Sequence, residues 1–242
     1  MGFKDLFGRF FTKNLYNHAW RCEICGKEKF DEDFLCEDCK KKLPYNNKYI
    51  CFHCGRQTLE ATQTCSTCGE RLTAIDRGRS VFIYDGVIPQ LIMRIKYYNK
   101  RYLLDFFVDK LAFLYLQNYL NADLVTYVPM SKKALEVRGY NQSELLAEKV
   151  AEKINLPLSH AVIKVKETKR QAKLKRKDRL KNLEGAFKVV DKKAVKDKAV
   201  VIIDDVTTTG ATAQAVAESL KKAGAIKVYL LSVASTPPYD KY

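Results

Sequence analysis

The chain has 242 residues, of which 47% are hydrophobic and 29% charged, a balance that fits one or two folded domains and excludes a disordered polymer. No run approaches the roughly 18 apolar residues that a membrane-spanning helix needs, and Lys4, Asp5, Arg9 and Lys13 interrupt the apolar N-terminus, so no spanning segment or signal peptide is expected. The formal net charge of +15 predicts attraction to polyanions: nucleic acid, phosphate metabolites or anionic lipid.

Phe3, Leu6, Phe7, Phe10, Phe11 and Leu15 recur at helical spacing with bases between them, which predicts an amphipathic helix within residues 1–17. Such a helix rests on anionic lipid or docks on the protein's own core, and docking is favoured. The expected location is therefore cytoplasmic, with peripheral contact at the inner face of the cell membrane as an option.

All eight cysteines fall between residues 22 and 68, as Cys22/Cys25, Cys36/Cys39, Cys51/Cys54 and Cys65/Cys68. The second four repeat the first four at an offset of 29 residues, each copy reading Cys-x2-Cys-x10-Cys-x2-Cys. Without export, this spacing argues for two tetrahedral thiolate sites holding structural Zn²⁺ rather than for disulfides. The repeat favours Cys22, Cys25, Cys36 and Cys39 on one ion and Cys51, Cys54, Cys65 and Cys68 on the other; cross-braced pairing is the alternative. Gly26, Gly55 and Gly69 each follow a pair, where positive φ is expected. His53 lies inside a pair and reads as a bystander. Residues 18–72 are expected to form one double zinc-ribbon-like module.

From residue 73 to 242 the pattern changes to strands alternating with helices, which predicts a parallel α/β sheet. Strands are expected near 80–84, 123–128, 161–165, 186–190, 198–203 and 226–233, with helical material over 87–120, 141–154 and 212–223. Tyr97, Tyr98 and Tyr102 lie in the first helical stretch and are expected to pack in the core. Lys164 to Lys181 holds ten Lys or Arg against Glu167 and Asp178, a local charge of +8 with no aromatic residue. Concentrating that charge costs self-repulsion that a polyanion relieves. The expected ligand is the backbone of single-stranded DNA, held by Lys169, Arg170, Lys173, Lys175, Arg176, Lys177, Arg179 and Lys181; a pyrophosphate clamp and a solvated loop are the competing readings.

The segment from Val200 to Thr212 carries the most chemistry. An apolar strand is expected to end in Asp204 and Asp205, followed by Val206, Thr207, Thr208, Thr209, Gly210, Ala211 and Thr212 at the start of a helix. A helix N-terminus and threonine hydroxyls donate to phosphate, and Gly210 lets the backbone approach it. The two carboxylates would repel a phosphate but accept from a vicinal diol, or hold Mg²⁺ through water. The combination predicts a phosphorylated ribose.

This segment resembles the phosphoribosyl pyrophosphate (PRPP) signature of type I phosphoribosyltransferases. By that resemblance Asp204 and Asp205 hold the ribose with Mg²⁺, the loop Thr207 to Thr212 holds the 5′-phosphate, and Ser131, Lys132 and Lys133 belong to the pyrophosphate loop. The chain is also similar to the ComF competence proteins, which join a cysteine-rich zinc module to a phosphoribosyltransferase-like domain. Val128-Pro129-Met130-Ser131, Arg138-Gly139-Tyr140-Asn141-Gln142, Leu145-Leu146-Ala147, Thr168 with Gln171, and Arg179, Asn182 and Gly185-Ala186-Phe187 carry that likeness. It implies DNA uptake in natural transformation, handling of single-stranded DNA, and a helicase-like ATPase, ComFA, as partner. The alternatives are an active phosphoribosyltransferase that moves phosphoribosyl from PRPP to an acceptor, and a zinc-module adaptor for protein partners.

Overall fold

The computed structural model describes residues 21–31, 33–61, 63–69, 73–118, 120–168 and 182–236. The helix expected within residues 1–17 and the eight basic residues from Lys169 to Lys181 lie outside the described residues. The chain divides into two compact units, Met1–Leu43 and Pro44–Tyr242. The division falls within the 18–72 module expected from the cysteine repeat, so the second four cysteines belong to the same unit as the sheet.

The first unit holds Cys22, Cys25, Cys36 and Cys39, a short helix α1 (Glu37–Lys41), and a bridge between Arg21 and Glu28. Leu35 and Leu43 are buried in it. In the second unit, α2 (Ser66–Gly69) stands where α1 stands in the first copy. The backbone bonds repeat with the sequence. Cys22 N–H donates to Lys27 O and Cys51 N–H to Arg56 O, both at 2.8 Å. Glu23 N–H donates to Phe34 O and Phe52 N–H to Gln63 O. Gly26 and Gly55 close the turns at φ +72° and +71°, as expected where a thiolate pair curls back on one ion. Gly69 differs: it is the last residue of α2 and has no positive φ.

The sheet has four parallel strands in the order β1 (Arg77–Ile83), β6 (Lys227–Ser235), β5 (Ala199–Thr207), β2 (Leu124–Tyr127). β5 and β6 sit in the middle and are buried almost throughout, which explains their near-continuous apolar runs. On one face lie α4 (Leu104–Gln117), against β1 and β6, and α6 (Gln142–Lys153), against β2 and β5. α7 (Ala211–Lys222) covers β5 and β6 on the other side, where Val216, Ala217 and Leu220 meet Val200, Ile202, Val228 and Leu230. α3 (Ile88–Tyr98) carries its apolar stripe at Ile88, Leu91, Ile92 and Ile95. The two short strands expected at 161–165 and 186–190 form β3 (Val162–Lys164) and β4 (Phe187–Val189), but they pair antiparallel with each other, outside the parallel sheet.

Two further differences matter for the site. β5 does not end before the carboxylates: it continues through Asp204 and Asp205 to Thr207, held by pairing with β6 as far as Ser235. Tyr97 and Tyr98 do not pack in the core. They are 66% and 69% exposed, because the apolar stripe of α3 points Ile92 and Ile95 inward and turns the next residues out.

Candidate functional site

The two four-cysteine groups are sequential, Cys22/25/36/39 and Cys51/54/65/68, with the sulfurs of each group within 4.8 Å of one another. Cys25 and Cys36 sulfurs are 3.7 Å apart, as are those of Cys54 and Cys65. A tetrahedral zinc about 2.3 Å from each sulfur sets them about 3.8 Å apart, whereas a disulfide needs about 2.05 Å. The Cys65 N–H donates to Cys51 Sγ at 3.3 Å, a bond that suits a thiolate. Both groups therefore fit structural zinc, and neither leaves a position for a substrate. His53 stands outside the sulfur set, its Nδ1 2.9 Å from Ile75 O.

The second group is built onto β1. Gly55 bridges to Arg79, and Asn46 Nδ2 and Ser80 Oγ both donate to Gly55 O, at 2.7 and 2.8 Å. The backbones touch so closely that a Cβ on Gly78 would lie 2.4 Å from His53 O. The same unit reaches the loop after β5. The buried Arg56 guanidinium donates to Thr208 O, which also accepts from Thr236 Oγ1 at 3.0 Å. Gly210, at φ +73°, packs beside Cys54.

That loop forms one wall of a cleft of about 330 Å³ at the carboxyl ends of β2 and β5, where a parallel sheet places its ligands. Tyr84, Lys96, Met130, Asn141, Gln142 and Ser143 line it together with Asp204, Asp205, Thr208 and Thr212. Of the sequence-predicted residues, these last four come together on the cleft. Thr207 and Thr209 are buried beneath the loop, and Thr209 Oγ1 accepts from Ala211 N–H at 3.4 Å. Gly210 caps α7 without a side-chain bond, and Ala211 opens it. Ser131 caps α5 (Lys132–Arg138), accepting from Ala134 N–H, and places Lys132 and Lys133 on the exposed first turn, off the cleft lining.

Residues between α5 and α6 explain the run Arg138-Gly139-Tyr140-Asn141-Gln142. Gly139 ends α5 at φ +79°, and Asn141 caps α6 while its Nδ2 donates to Val128 O at the end of β2. α6 then delivers two donors to the carboxylates. Ser143 Oγ donates to Asp204 Oδ1 at 3.2 Å, and Gln142 Nε2 to Asp205 Oδ2 at 3.0 Å.

Lys96, from α3, was not read as a site residue, yet its ammonium pairs with Asp205 Oδ2. The available signal was a lysine placed one residue past Ile95 on an otherwise apolar stripe. Burial works against both charges of this pair, but their mutual attraction wins: Lys96 is held above the ordinary lysine value and Asp205 below the ordinary carboxylate value. Among the described residues Asp204 makes no ion pair of its own, and burial together with the neighbouring Asp205 charge pushes its carboxyl up against the weaker pull of Lys96. The two adjacent carboxylates are thus chemically unequal. The site offers acceptors to a diol on one side and hydroxyl and helix N-terminal donors to an anion on the other.

Residues 141–239 match the phosphoribosyl transferase domain family, and residues 14–71 match the double zinc ribbon domain family. The chain is 30% identical to competence protein F of Haemophilus influenzae strain Rd, over 60% of this chain and 66% of that protein. It is 30% identical to competence protein ComFC of Bacillus subtilis strain 168, over 61% of this chain and 59% of the other. DNA utilization protein YhgH of Escherichia coli strain K12 is 32% identical over 47% and 50%. The matched region thus spans between half and two thirds of these relatives.

Proposed function

We propose that the chain is a member of the ComF family of competence proteins, on the strength of its two domain matches and its likeness to competence proteins, and that it serves DNA uptake, binding single-stranded DNA and a phosphoribosyl ligand, PRPP or a relative of it. The convergence of Asp204, Asp205, Thr208 and Thr212 on one cleft carries the reading. A ribose diol would face the carboxylates, and its 5′-phosphate would take the N-terminal turn of α7 with the two threonine hydroxyls. Mg²⁺ accompanies a pyrophosphate as counter-charge. Asp204 and Asp205 are hard oxygen donors that suit it, directly or through water. Asp205 already carries the Lys96 ammonium, which leaves Asp204 as the carboxylate with room for a second partner. The basic run from Lys169 to Lys181 supplies the sequence-independent attraction for a DNA backbone. The ComF likeness also supplies the expected protein partner, a ComFA-type ATPase. No helix among the described residues is long and apolar enough to cross a membrane.

The test is calorimetry of zinc-loaded protein with PRPP and Mg²⁺, for the parent and for Asp204→Asn/Asp205→Asn. Binding by the parent that the double variant loses is expected. No heat from well-folded parent protein removes the phosphoribosyl reading. Single-strand binding is checked by fluorescence anisotropy with a labelled oligonucleotide at several salt concentrations, with affinity expected to fall steeply as salt rises.

A further inference from the structure

Resting on the single-strand reading above, we infer that Tyr97 and Tyr98 form a stacking platform for unpaired bases beside the cleft. They close α3, and their rings stand in solvent while the preceding turn packs Ile92 and Ile95 inward. Met93, 46% exposed and four residues before Tyr97, extends the same outer surface. Exposed aromatic rings at two consecutive positions, next to the cleft-lining Lys96, are costly to leave in water, and the cost is recovered by a flat apolar ligand.

The rings are held in place. Asn99 caps α3 in the left-handed conformation at φ 54°, and its side chain accepts from Arg101 Nε at 2.7 Å. Arg101 in turn lies over the Tyr140 ring, 4.7 Å from its centre, and the Tyr140 hydroxyl donates to Ile95 O inside α3. Arg138 lies over the Tyr97 ring at 5.4 Å. Its Nη1 donates to Gln142 Oε1 at 2.6 Å, and Gln142 bonds Asp205. A continuous chain of contacts therefore joins the exposed Tyr97 ring to the carboxylate at the floor of the cleft.

Charge selects the occupant. The Arg138 guanidinium lies over the Tyr97 ring, Arg101 over the neighbouring Tyr140 ring and Lys100 over Tyr102. Aromatic faces interleaved with cations match alternating bases and phosphates. In a duplex the base faces are already stacked on one another, so only a single strand can offer them. The basic run from Lys169 to Lys181 contains no aromatic residue and can hold phosphates without reading bases. The charge of that run would hold phosphates, and the tyrosines would stack on bases.

The experiment compares two labelled probes of equal length and charge in fluorescence anisotropy at moderate salt: oligothymidylate and a strand of abasic sites. The parent is expected to bind the base-bearing strand about 10-fold more tightly. Tyr97→Ala/Tyr98→Ala should lose that preference and bind both probes as the parent binds the abasic one, while Tyr97→Phe should keep it. Both side chains are exposed, so folding should be retained, checked by an unchanged melting temperature. Neutralising Lys173, Lys175, Arg176 and Lys177 should weaken both probes alike and leave their ratio intact. Equal binding of the two probes by the parent overturns the platform but leaves the single-strand reading standing. A full preference retained by the double alanine variant also overturns it and assigns the surface to a protein partner. Failure of the parent to bind either probe ends both readings together.

Discussion

The first four-cysteine unit leaves Cys25 exposed and buries Leu35 and Leu43, whereas the second buries Cys51, Cys54 and Cys65 and rests its backbone on β1 through Gly55, Gly78 and Arg79. Their ligand spacing and turn hydrogen bonds are the same. What differs is the residue found at equivalent places in the repeat. Lys27 is exposed and pairs with Asp38 at 3.3 Å; its counterpart 29 positions later, Arg56, is buried and holds Thr208 O in the loop between β5 and α7. One metal knuckle is a small unit of its own. The other is a buttress for the loop between β5 and α7 that walls the cleft, and the difference lies in what surrounds the metal rather than in the metal site.

The largest expected effect sets the two sites against each other. Metal binding supplies about 10–16 kcal/mol in small zinc peptides, and a whole domain is stable by only about 5–15 kcal/mol. Cys51→Ser/Cys54→Ser should therefore lower the melting temperature of the Pro44–Tyr242 unit by about 10 °C or more, or unfold it. Cys22→Ser/Cys25→Ser should leave that transition within about 2 °C. Scanning calorimetry decides it, and equal losses from the two variants would erase the contrast.

Next come the glycines. Gly26→Ala meets no atom within 4 Å and suffers only the positive-φ strain, about 1–2 kcal/mol. Gly55→Ala has the same φ, and its new methyl would lie 2.5 Å from Arg79 N. Overpacking adds about 1–3 kcal/mol. Urea unfolding of the two variants should differ by that amount, and Gly78→Ala, whose φ is ordinary, should show the overpacking loss alone.

A smaller effect sharpens the link to the loop. Arg56→Met removes a charged donor from Thr208 O, a bond worth about 1.5–3 kcal/mol. It should raise hydrogen exchange across Thr207–Gly210 and weaken phosphoribosyl binding about 10-fold. Lys27→Met should change neither measurement. Last, Ser80→Ala removes a donor to Gly55 O and the contact with Ser235 Oγ at 2.8 Å, and should lower chemical stability by about 1 kcal/mol. A silent Ser80→Ala would mean that Asn46 alone suffices to hold Gly55.

The legible parts of the molecule were those with local causes. Cysteine spacing favoured the sequential ligand sets because each Cys-x2-Cys turn is made within a few residues. The Asp204–Thr212 run displayed its acceptors and donors because strand, loop and helix start follow one another directly. Contacts made across the chain were not legible. Lys96 reaches Asp205 from 109 residues away, and Arg56 reaches Thr208 across 152. Repeat periodicity showed the two cysteine copies but not the close approach of Gly78 to His53 and Cys54, by which the second copy presses against β1. Tyr97 and Tyr98 were misjudged for a related reason: composition shows an aromatic-rich helix, but which side faces water depends on where the stripe ends.

The buried Lys96–Asp205 pair has a consequence for ionic strength. A sugar that engages Asp205 does so by exchange, since the carboxylate already holds a counter-ion supplied by the protein. Exchange inside a low-dielectric cleft responds weakly to added salt, because mobile ions screen exposed charges far more than buried ones. Attraction between a basic surface and a phosphate backbone responds steeply, because binding releases condensed counterions. The two proposed ligands should therefore separate on a salt gradient: the concentration that strips DNA from the protein leaves the phosphoribosyl compound largely in place.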